Sequence, residues 1–287
     1  MTRIVYVNGA YKRYAEAAIH AEDRGFQFAD AVYEVMEVRG GRLVDATRHL
    51  ARLNRSLDAL SISAPMSNGA LLHIVGEVVR RNRVRDGLVY IQVTRGAGPR
   101  NFSFPGPEIF PTLVVLARSQ RLGWADELAE QGIAVKTMPD NRWGRSDIKT
   151  VMLLPAVLAK DAAHSAGAHE AWFVDQSGAI TEGASSNAWI VTAGGVLVTR
   201  PLDPRILPGV TRATVKDVAA AEGLKLEERA FTLAEAFGAR EAFVTSATNT
   251  VMPVVSIDAR QVGDGRPGPV VRRLRSRFHE LAEISIV

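Results

Sequence analysis

The sequence of 287 residues contains no cysteine. Disulfides, thiolate zinc sites and iron–sulfur clusters are therefore excluded, and the composition fits a reducing compartment. Long apolar runs are absent as well, because charge or glycine interrupts every apolar stretch well short of the ~20 residues that a membrane-spanning helix needs. The first residues, MTRIVYVNGAYKRY, lack the apolar core of a signal peptide. We therefore expect a cytoplasmic protein without a membrane partner.

Positive charge is not concentrated in one part of the chain. The pI is near 9.6, but the net charge is only +4, and arginines stand beside carboxylates throughout. One basic cluster, 272-RRLRSRFHELAEI-284, places Leu274, Phe278 and Leu281 at helical spacing with arginines between them. This pattern is typical of the solvated face of an amphipathic helix, which we favour over a nucleic-acid-binding arm. No nucleic-acid partner and no metal site are predicted.

Turn residues and apolar spacing predict an α+β protein. Asn8-Gly9 and Gly40-Gly41 each separate two strand-like runs, as the turns of β-hairpins do. Apolar residues that recur at three and four predict helices over 47–62 and 69–84. The remaining predicted elements are strands at 87–96, 111–119, 133–138, 170–175, 187–192, 195–199, 242–246 and 253–257, helices at 153–166 and 211–221, and the basic C-terminal helix.

The order of these elements predicts two domains, because a new set of strands begins after residue 119. A hydrophobic fraction of 47% in a chain of this length is enough for one large domain or for two medium-sized ones, each with its own core. We assign residues 1–120 to a small N-terminal α+β domain, 121–128 to a linker, and 129–287 to a larger C-terminal domain.

Lysine is scarce, since only six of the 35 lysine and arginine residues are lysines. Lys149 stands between a polar loop and a long apolar run in 145-RSDIKTVMLLPAVLAK-160. A lysine partly removed from water loses some preference for its charged form, and a neutral amine can attack a carbonyl to form a Schiff base. On composition alone, a snorkelling lysine or one paired with Asp147 is the commoner arrangement.

Two further stretches could bind an anion. In 207-LPGVTRATVKDVAAAEG-223, Pro208-Gly209 leads into a helix whose first turn offers backbone N–H groups and the Thr211 hydroxyl. The alternative is that Thr211 only caps the helix. The stretch 244-VTSATNTVMPV-254 carries small hydroxyl residues that either bind the same anion or form a turn.

The stretch 178-GAITEGASSNAWI-190 surrounds Glu182 with small residues and few polar neighbours. A carboxylate in such a place needs a cationic partner, unless it lies on a surface turn.

Tyr33, and Phe102 with Phe104, follow Gly- or Pro-bearing loops, where they either line a pocket or fill a core.

Seven stretches, in this order along nearly the full chain, resemble the fold-type IV class of pyridoxal-phosphate aminotransferases, which includes branched-chain and D-amino acid aminotransferases. The stretches are DRGFQFADAVYEV, HLARL, VTRGAGPRNFSFP, DIKTVMLLPAVLAK, TEGASSN, ILPGVTR and VTSATNTVMPV. The first and third most resemble D-amino acid aminotransferase. The resemblance implies an α+β fold with a smaller N-terminal α/β sandwich domain and a larger, barrel-like C-terminal α/β domain that carries the cofactor lysine.

The resemblance implies a role for each matched residue. Lys149 would form the Schiff base with pyridoxal 5′-phosphate and then move a proton between the substrate α-carbon and the cofactor C4′. Glu182 would pair with the pyridine nitrogen and keep it protonated, so that the ring acts as an electron sink. Leu207 would pack against the ring. The 5′-phosphate would be held by Arg52, Val210, Thr211, Ser246 and Ala247, the last of which stands where a hydroxyl residue is common.

The resemblance also implies a substrate site and a homodimer. Tyr33 and Arg100 match positions that help bind the substrate α-carboxylate, with the loop arginine reaching in from the other subunit. Phe102 departs from the pattern, because a histidine that helps hold the carboxylate is expected there. Loss of this donor would weaken carboxylate recognition, favour apolar side chains, or admit amines without a carboxylate.

The activity implied is transfer of an amino group from a D-amino acid, such as D-alanine, to a 2-oxo acid by a ping-pong mechanism. A branched-chain L-amino acid aminotransferase and an (R)-amine transaminase are the alternatives. A 4-amino-4-deoxychorismate lyase, which shares the scaffold, and a basic binding protein without a cofactor are less favoured.

Overall fold

The computed structural model describes residues 3–121 and 123–285. These residues divide into two compact units. The first unit comprises 3–121, 148–152 and 283–285, and the second comprises 123–147 and 153–282. The sequence-based division was contiguous and assigned Lys149 to the C-terminal domain. The structure differs there because Thr150 forms a β-bridge with Val32 of the first unit.

The first unit begins with two β-hairpins, as the turn residues predict. Strands β1 (Ile4–Val7) and β2 (Ala10–Arg13) flank Asn8-Gly9, and β3 (Ala31–Arg39) and β4 (Arg42–Val44) flank Gly40-Gly41. All four turn residues have φ between +44° and +90°, the left-handed region that a type I′ turn requires. The unit's other α-helices and strands are α1 (Arg24–Phe28), α2 (Ala46–Ala59), α3 (Asn68–Arg81), β5 (Gly87–Thr94), β6 (Thr112–Ser119) and the terminal strand Ile284–Ser285.

Among the described residues of the first unit, seven strands form one antiparallel sheet. Its order is the terminal strand, β4, β3, β5, β6, β1 and β2. Helix α2 packs on β3, and α3 packs on β1 and β6. The buried side of α2 carries Leu50, Leu53 and Leu57 at a spacing of three and four, as the sequence predicts, but polar residues share this side.

The second unit is built on a mixed sheet. Its strands are β7 (Ile133–Pro139), β8 (Glu170–Val174), β9 (Ile180–Gly183), β10 (Asn187–Val191), β11 (Leu197–Thr199), β12 (Leu226–Glu228), β13 (Glu241–Ser246), β14 (Thr250–Ile257) and β15 (Arg260–Gln261). Its helices are α4 (Trp124–Gln131), α5 (Leu154–Ser165), α6 (Val210–Ala221), α7 (Leu233–Phe237) and α8 (Pro269–Leu281).

The nine strands described in the second unit follow the order β12, β11, β10, β13, β14, β7, β8 and β9, with β15 beside β14. Strand β9 also lies against β10, which gives the sheet a curled, half-barrel form. Trp172, Phe231 and Met252 are fully buried in the core that this sheet encloses. The predicted α+β class with a barrel-like C-terminal domain is confirmed.

The basic C-terminal helix is amphipathic, as predicted. Leu274 and Phe278 of α8 are buried, whereas Leu281 is exposed. Arg273 and Arg277 form ion pairs with Glu222. These arginines therefore have carboxylate partners within the second unit.

Candidate active site

The backbone of Lys149 is fixed within the first unit. Its carbonyl oxygen accepts a hydrogen bond of 3.0 Å from the Tyr33 N–H of β3. Its own N–H donates to the Ser56 hydroxyl of α2 at 3.3 Å. Lys149 therefore lies in an extended segment beside β3, and α5 begins only at Leu154. This arrangement explains a lysine at the boundary between a polar loop and an apolar run.

The side chain of Lys149 differs from those of the other lysines. Its Nζ lies 4.2 Å from the centroid of the Tyr33 ring, which itself stacks on Tyr90. Asp147, the partner considered from the sequence, pairs instead with Arg145. Lys12 is exposed, and in the described part of the chain four lysines pair with carboxylates: Lys136, Lys160, Lys216 and Lys225.

Arg52 is buried and forms a bidentate ion pair with Glu34 of β3. Its Nε and Nη2 each donate to one Glu34 oxygen at 2.7 Å. His49 Nδ1 lies 2.7 Å from the second of these oxygens. Sequence reasoning assigned no role to Glu34 or His49. A sequence indication existed for Glu34, because it shares the inward side of β3 with Val32 and Met36.

The ionisation of this cluster follows from its burial and its hydrogen bonds. Burial alone would raise the pKa of Glu34, but the Arg52 charge and the hydrogen bonds from Arg52 and His49 lower it to about 2. Burial lowers the pKa of His49 below its usual value; Glu34 opposes this effect, and the charges of Arg52 and Lys149 add to it. At neutral pH the imidazole is therefore neutral, and its Nδ1–H donates to the ionised Glu34.

Arg100 and Phe102 lie together on the loop between β5 and β6. The Phe102 ring meets the Phe28 ring edge to face at a centroid distance of 5.6 Å. The Arg100 guanidinium lies 5.1 Å from the Phe28 centroid and 5.6 Å from that of Phe102. Phe102 is 80% exposed and Phe104 is 64% exposed. Neither phenylalanine fills the core.

A buried charge cluster anchors this loop. Asp30 accepts hydrogen bonds from Arg24 and from two nitrogens of Arg95, at 2.7 to 3.0 Å. Arg24 also donates to the Asn101 carbonyl oxygen at 2.6 Å, and the Arg95 guanidinium lies 3.7 Å from the Phe104 ring centroid. Asp30 thus connects two buried arginines to the loop that carries Arg100.

Glu182, at the buried end of the second unit's β9, has the cationic partner that the sequence required. That partner is Arg142, whose Nη1 donates to Glu182 Oε1. Arg142 also forms a bidentate pair with Asp140, at 2.9 and 2.8 Å. Sequence reasoning missed Arg142, because its distance of 40 residues from Glu182 along the chain is closed only by the pairing of β7 with β8 and β8 with β9.

The other oxygen of Glu182 is held by Asn187 and Leu207. Asn187 Nδ2 donates to Glu182 Oε2 at 3.0 Å and to the Leu207 carbonyl oxygen at 2.9 Å. The Leu207 N–H donates to the same Oε2 at 2.9 Å. A carboxylate has about four acceptor positions, and these described donors with Arg142 fill about three of them.

The cluster of Asp140, Arg142 and Glu182 holds two carboxylates for one guanidinium among the described residues. Burial raises the pKa of Glu182 to about 7, and Arg142 offsets only part of this rise. Arg142 lowers the pKa of Asp140, which burial alone would raise. Glu182 is therefore the carboxylate without a full counter-charge, and its ionisation would be favoured by a second cation.

Val210 and Thr211 occupy the first turn of α6. Gly209 precedes the helix as its N-cap, so Thr211 lies inside the helix and does not cap it. The N–H groups of this turn have no carbonyl partner within their own helix, an arrangement that favours anions. A Cβ atom at Gly209 would lie 2.0 Å from Asn187 Oδ1. Glycine thus allows Asn187 to approach both the helix start and Glu182.

Ser246 and Ala247 lie at the turn between β13 and β14. The Ser246 hydroxyl lies 3.1 Å from that of Thr248 and accepts the Asn249 N–H at 3.3 Å. The hydroxyl-rich stretch therefore forms a turn, one of the two arrangements considered from the sequence. Its predicted part in binding phosphate stays a prediction.

No group of three or more His, Asp or Glu residues among 3–121 and 123–285 is arranged to hold a metal ion. No helix in the same part of the chain is long and apolar enough to cross a membrane.

Comparisons with known proteins identify relatives over nearly the full chain. Residues 31–257 match the family model described as amino-transferase class IV. A D-alanine aminotransferase of Staphylococcus haemolyticus is 38% identical over 97% of this chain and 98% of its own length. One of Bacillus licheniformis is 38% identical over 95% of this chain and 94% of its own length. The solved structure of a branched-chain amino acid aminotransferase from T.th. with pyridoxamine 5′-phosphate is 26% identical, with a TM-score of 0.89 over 98% of this chain and 94% of that chain.

Proposed function

The chain belongs to the class IV aminotransferases, and from this premise we propose that it transfers the amino group of a D-amino acid, such as D-alanine, to a 2-oxo acid. Pyridoxal 5′-phosphate is the proposed cofactor. Two D-alanine aminotransferases that are each 38% identical to this chain support the choice of donor. The structural observation that carries the proposal is the amine of Lys149, which is directed at an aromatic ring while the other buried or half-buried lysines described have carboxylate partners.

The residues present fit this cofactor. When Glu182 is ionised, the cluster of Asp140, Arg142 and Glu182 has one negative charge in excess among the described residues, and a protonated pyridine nitrogen would balance it. Glu182 also has about one acceptor position left for that N–H. When bound, pyridoxal 5′-phosphate supplies an electron sink for the negative charge that develops on the substrate α-carbon.

Lys149 has two roles in the proposal. Its Nζ would be the amine to which the cofactor attaches, and it would move the proton between the substrate α-carbon and the cofactor C4′. The hydrogen bonds of its backbone to Tyr33 and Ser56 fix where the side chain begins. An amine held in this way reacts with less loss of conformational freedom.

The 5′-phosphate is assigned to backbone and guanidinium donors. We assign it to the first-turn N–H groups of Val210 and Thr211, to Arg52, and to Ser246 and Ala247. Helix N-termini and planar guanidinium groups are both suited to bind phosphate. Leu207 is assigned to packing against the ring. Its N–H bond to Glu182 would couple this contact to the carboxylate that is assigned to the pyridine nitrogen.

Tyr33, Arg100 and Phe102 are assigned to the substrate. Arg100 binds the α-carboxylate, and a homodimer in which the partner's loop supplies this arginine is part of the proposal, as is a cytoplasmic location. Phe102 supports a second candidate activity, the (R)-amine transaminase. An exposed phenyl ring beside Arg100 offers apolar contact where a histidine would offer a hydrogen bond to a carboxylate.

Spectra of the purified protein with separate donors test the proposal. The visible band of enzyme-bound pyridoxal 5′-phosphate should be lost on addition of D-alanine and restored by a 2-oxo acid. Conversion by L-leucine alone would assign the chain to branched-chain substrates, and conversion by (R)-1-phenylethylamine alone would assign it to amines. A protein that cannot be reconstituted with pyridoxal 5′-phosphate would refute the proposed function.

A further inference from the structure

The Glu34, His49 and Arg52 cluster places three polar side chains where the fold has an apolar core. All three are buried, with Glu34 fully so, between β3 and the polar side of α2. Burying an ion pair costs desolvation free energy that its attraction often fails to repay, and well-packed apolar residues of similar volume frequently give an equal or greater stability. Stability of the fold alone therefore does not account for this cluster.

The cluster lies on the side of α2 that also contacts the segment containing Lys149. His49, Arg52 and Ser56 follow one another at a spacing of three and four, so they share one side of the helix. Ser56 accepts the Lys149 N–H. The same side of α2 thus fixes the backbone of Lys149 and the guanidinium of Arg52.

We propose that Glu34 and His49 are positioning residues, which hold the Arg52 guanidinium in the plane and direction needed to bind the phosphate monoester of the cofactor. The inference rests on the proposed function, since it takes Arg52 as a phosphate ligand. Glu34 and His49 act through Arg52 and do not themselves touch the phosphate.

The geometry explains how the two residues would act. Two parallel hydrogen bonds from Nε and Nη2 to one carboxylate fix the guanidinium plane, which a single bond would leave free to rotate. His49 holds one of the two carboxylate oxygens and so fixes Glu34 in turn. A donor that is already oriented loses less entropy when the phosphate binds, and affinity rises accordingly.

Comparing two cofactor forms tests this role without measuring activity. Cofactor-free protein is titrated with pyridoxal 5′-phosphate and with pyridoxal, which lacks the phosphate, and both dissociation constants are measured by absorbance. Glu34→Gln should weaken the binding of pyridoxal 5′-phosphate by about tenfold, which is the scale of one charge-assisted hydrogen bond. It should weaken the binding of pyridoxal by less than about twofold. The inference would be overturned if the variant bound both ligands more weakly by the same factor, or if the affinity for neither ligand changed.

Glu37→Gln is the matched control, because Glu37 belongs to the same strand but is only partly buried, on the opposite side. It should leave both dissociation constants within about twofold of the wild type. If Glu34→Gln does not fold, His49 gives a second test. His49→Leu removes the donor to Glu34, whereas His49→Asn keeps an N–H close to the Nδ1 position.

We expect His49→Leu to weaken the binding of pyridoxal 5′-phosphate by roughly fivefold and to leave the binding of pyridoxal unchanged. His49→Asn should restore most of the affinity for pyridoxal 5′-phosphate. Identical affinities for the two His49 variants would count against the inference. The two possible failures are distinct. A wild-type protein that binds neither ligand contradicts the proposed function, whereas a wild type that binds pyridoxal 5′-phosphate no better than Glu34→Gln contradicts only the positioning role.

Discussion

The Nζ atom of Lys149 lies 4.2 Å from the centre of the Tyr33 ring, while the Lys149 carbonyl oxygen accepts the Tyr33 N–H. The side chain and the backbone of the lysine are thus both placed by one residue of β3. Because the hydrogen bonds of Lys149 that fix this segment come from its backbone, its side chain can be shortened without removing them.

Lys149→Ala should therefore abolish amino transfer and leave the fold intact. The amine that we propose carries the cofactor is lost, whereas the backbone bonds to Tyr33 and Ser56 stay. Turnover of D-alanine and the visible cofactor band should both disappear, with a melting temperature close to that of the wild type. Lys160→Ala, which removes a partly exposed lysine paired with Glu170, is the control and should retain activity. Normal turnover by Lys149→Ala would show that the assignment is wrong.

Most of the regular elements could be predicted from local patterns. The Asn8-Gly9 and Gly40-Gly41 turns have the left-handed φ angles that their sequences favour, and α2 and α3 begin within a residue or two of the expected positions. Strand β9, with the sequence ITEG, was missed because glutamate and glycine have low strand propensity, and its pairing with β8 overrides this. Helix α7 was also missed, although Thr232 and Glu235 form a capping box that would have indicated it.

Single candidate residues could be proposed from the sequence, and their roles stay predictions, whereas the contacts between them could not be foreseen. A lysine amine, a buried carboxylate and a helix start could be recognised from short motifs. The pairs formed by Glu34 with Arg52 and by Arg142 with Glu182 could not, because tertiary structure brings together residues 18 and 40 positions apart. No local propensity encodes such contacts.

The pKa of Glu182 predicts a pH-dependent stability of the cofactor-free protein. Folding raises this pKa from 4.5 to about 7 through burial, so the protonated form is favoured in the folded state. The contribution of Glu182 to the free energy of unfolding is therefore fully present below pH 4.5 and is lost as the pH rises through about 7. The glutamine of Glu182→Gln stays uncharged at every pH. The free energy of unfolding of this variant, relative to that of the wild type, should therefore rise by about 3 kcal/mol as the pH is raised from 4.5 to 8, as measured by urea unfolding. A difference that is independent of pH would contradict the raised pKa.

Phe102→His should strengthen recognition of a substrate carboxylate. The histidine would add a hydrogen-bond donor beside Arg100, in place of a ring that has no hydrogen-bonding group and whose centroid lies 5.6 Å from the guanidinium. We expect kcat/KM for D-alanine to rise roughly tenfold, and the rate with (R)-1-phenylethylamine to fall or stay unchanged. Phe104→His is the control, because Phe104 lies on the same loop but packs on Arg95. An equal rise for both donors would mean that Phe102 does not act on the carboxylate.

Asp30→Asn should destabilise the protein far more than loss of an exposed ion pair. Asp30 is the carboxylate for two buried guanidinium groups, those of Arg24 and Arg95. Its neutralisation leaves both cations without this partner, at an expected cost of about 3 to 5 kcal/mol in the free energy of unfolding. Asp126→Asn removes the partner of Arg275 at a site where the aspartate is 71% exposed, and should cost at most about 1 kcal/mol. Urea unfolding of both variants measures these two losses in the free energy of unfolding. Losses of similar size would refute the anchoring role of Asp30.

Gly209→Ala should disturb the link between the start of α6 and Glu182. The new Cβ would stand 2.0 Å from Asn187 Oδ1, so either the amide or the helix start must move. Asn187 holds both Glu182 and Leu207, and we therefore expect pyridoxal 5′-phosphate to bind at least about tenfold more weakly, in line with the loss of a charge-assisted hydrogen bond. Gly69→Ala in the first turn of α3 meets nothing within 4 Å and should leave the affinity unchanged. Equal affinities for the two variants, measured by absorbance titration of the cofactor-free proteins, would mean that this close approach has no part in holding the cofactor.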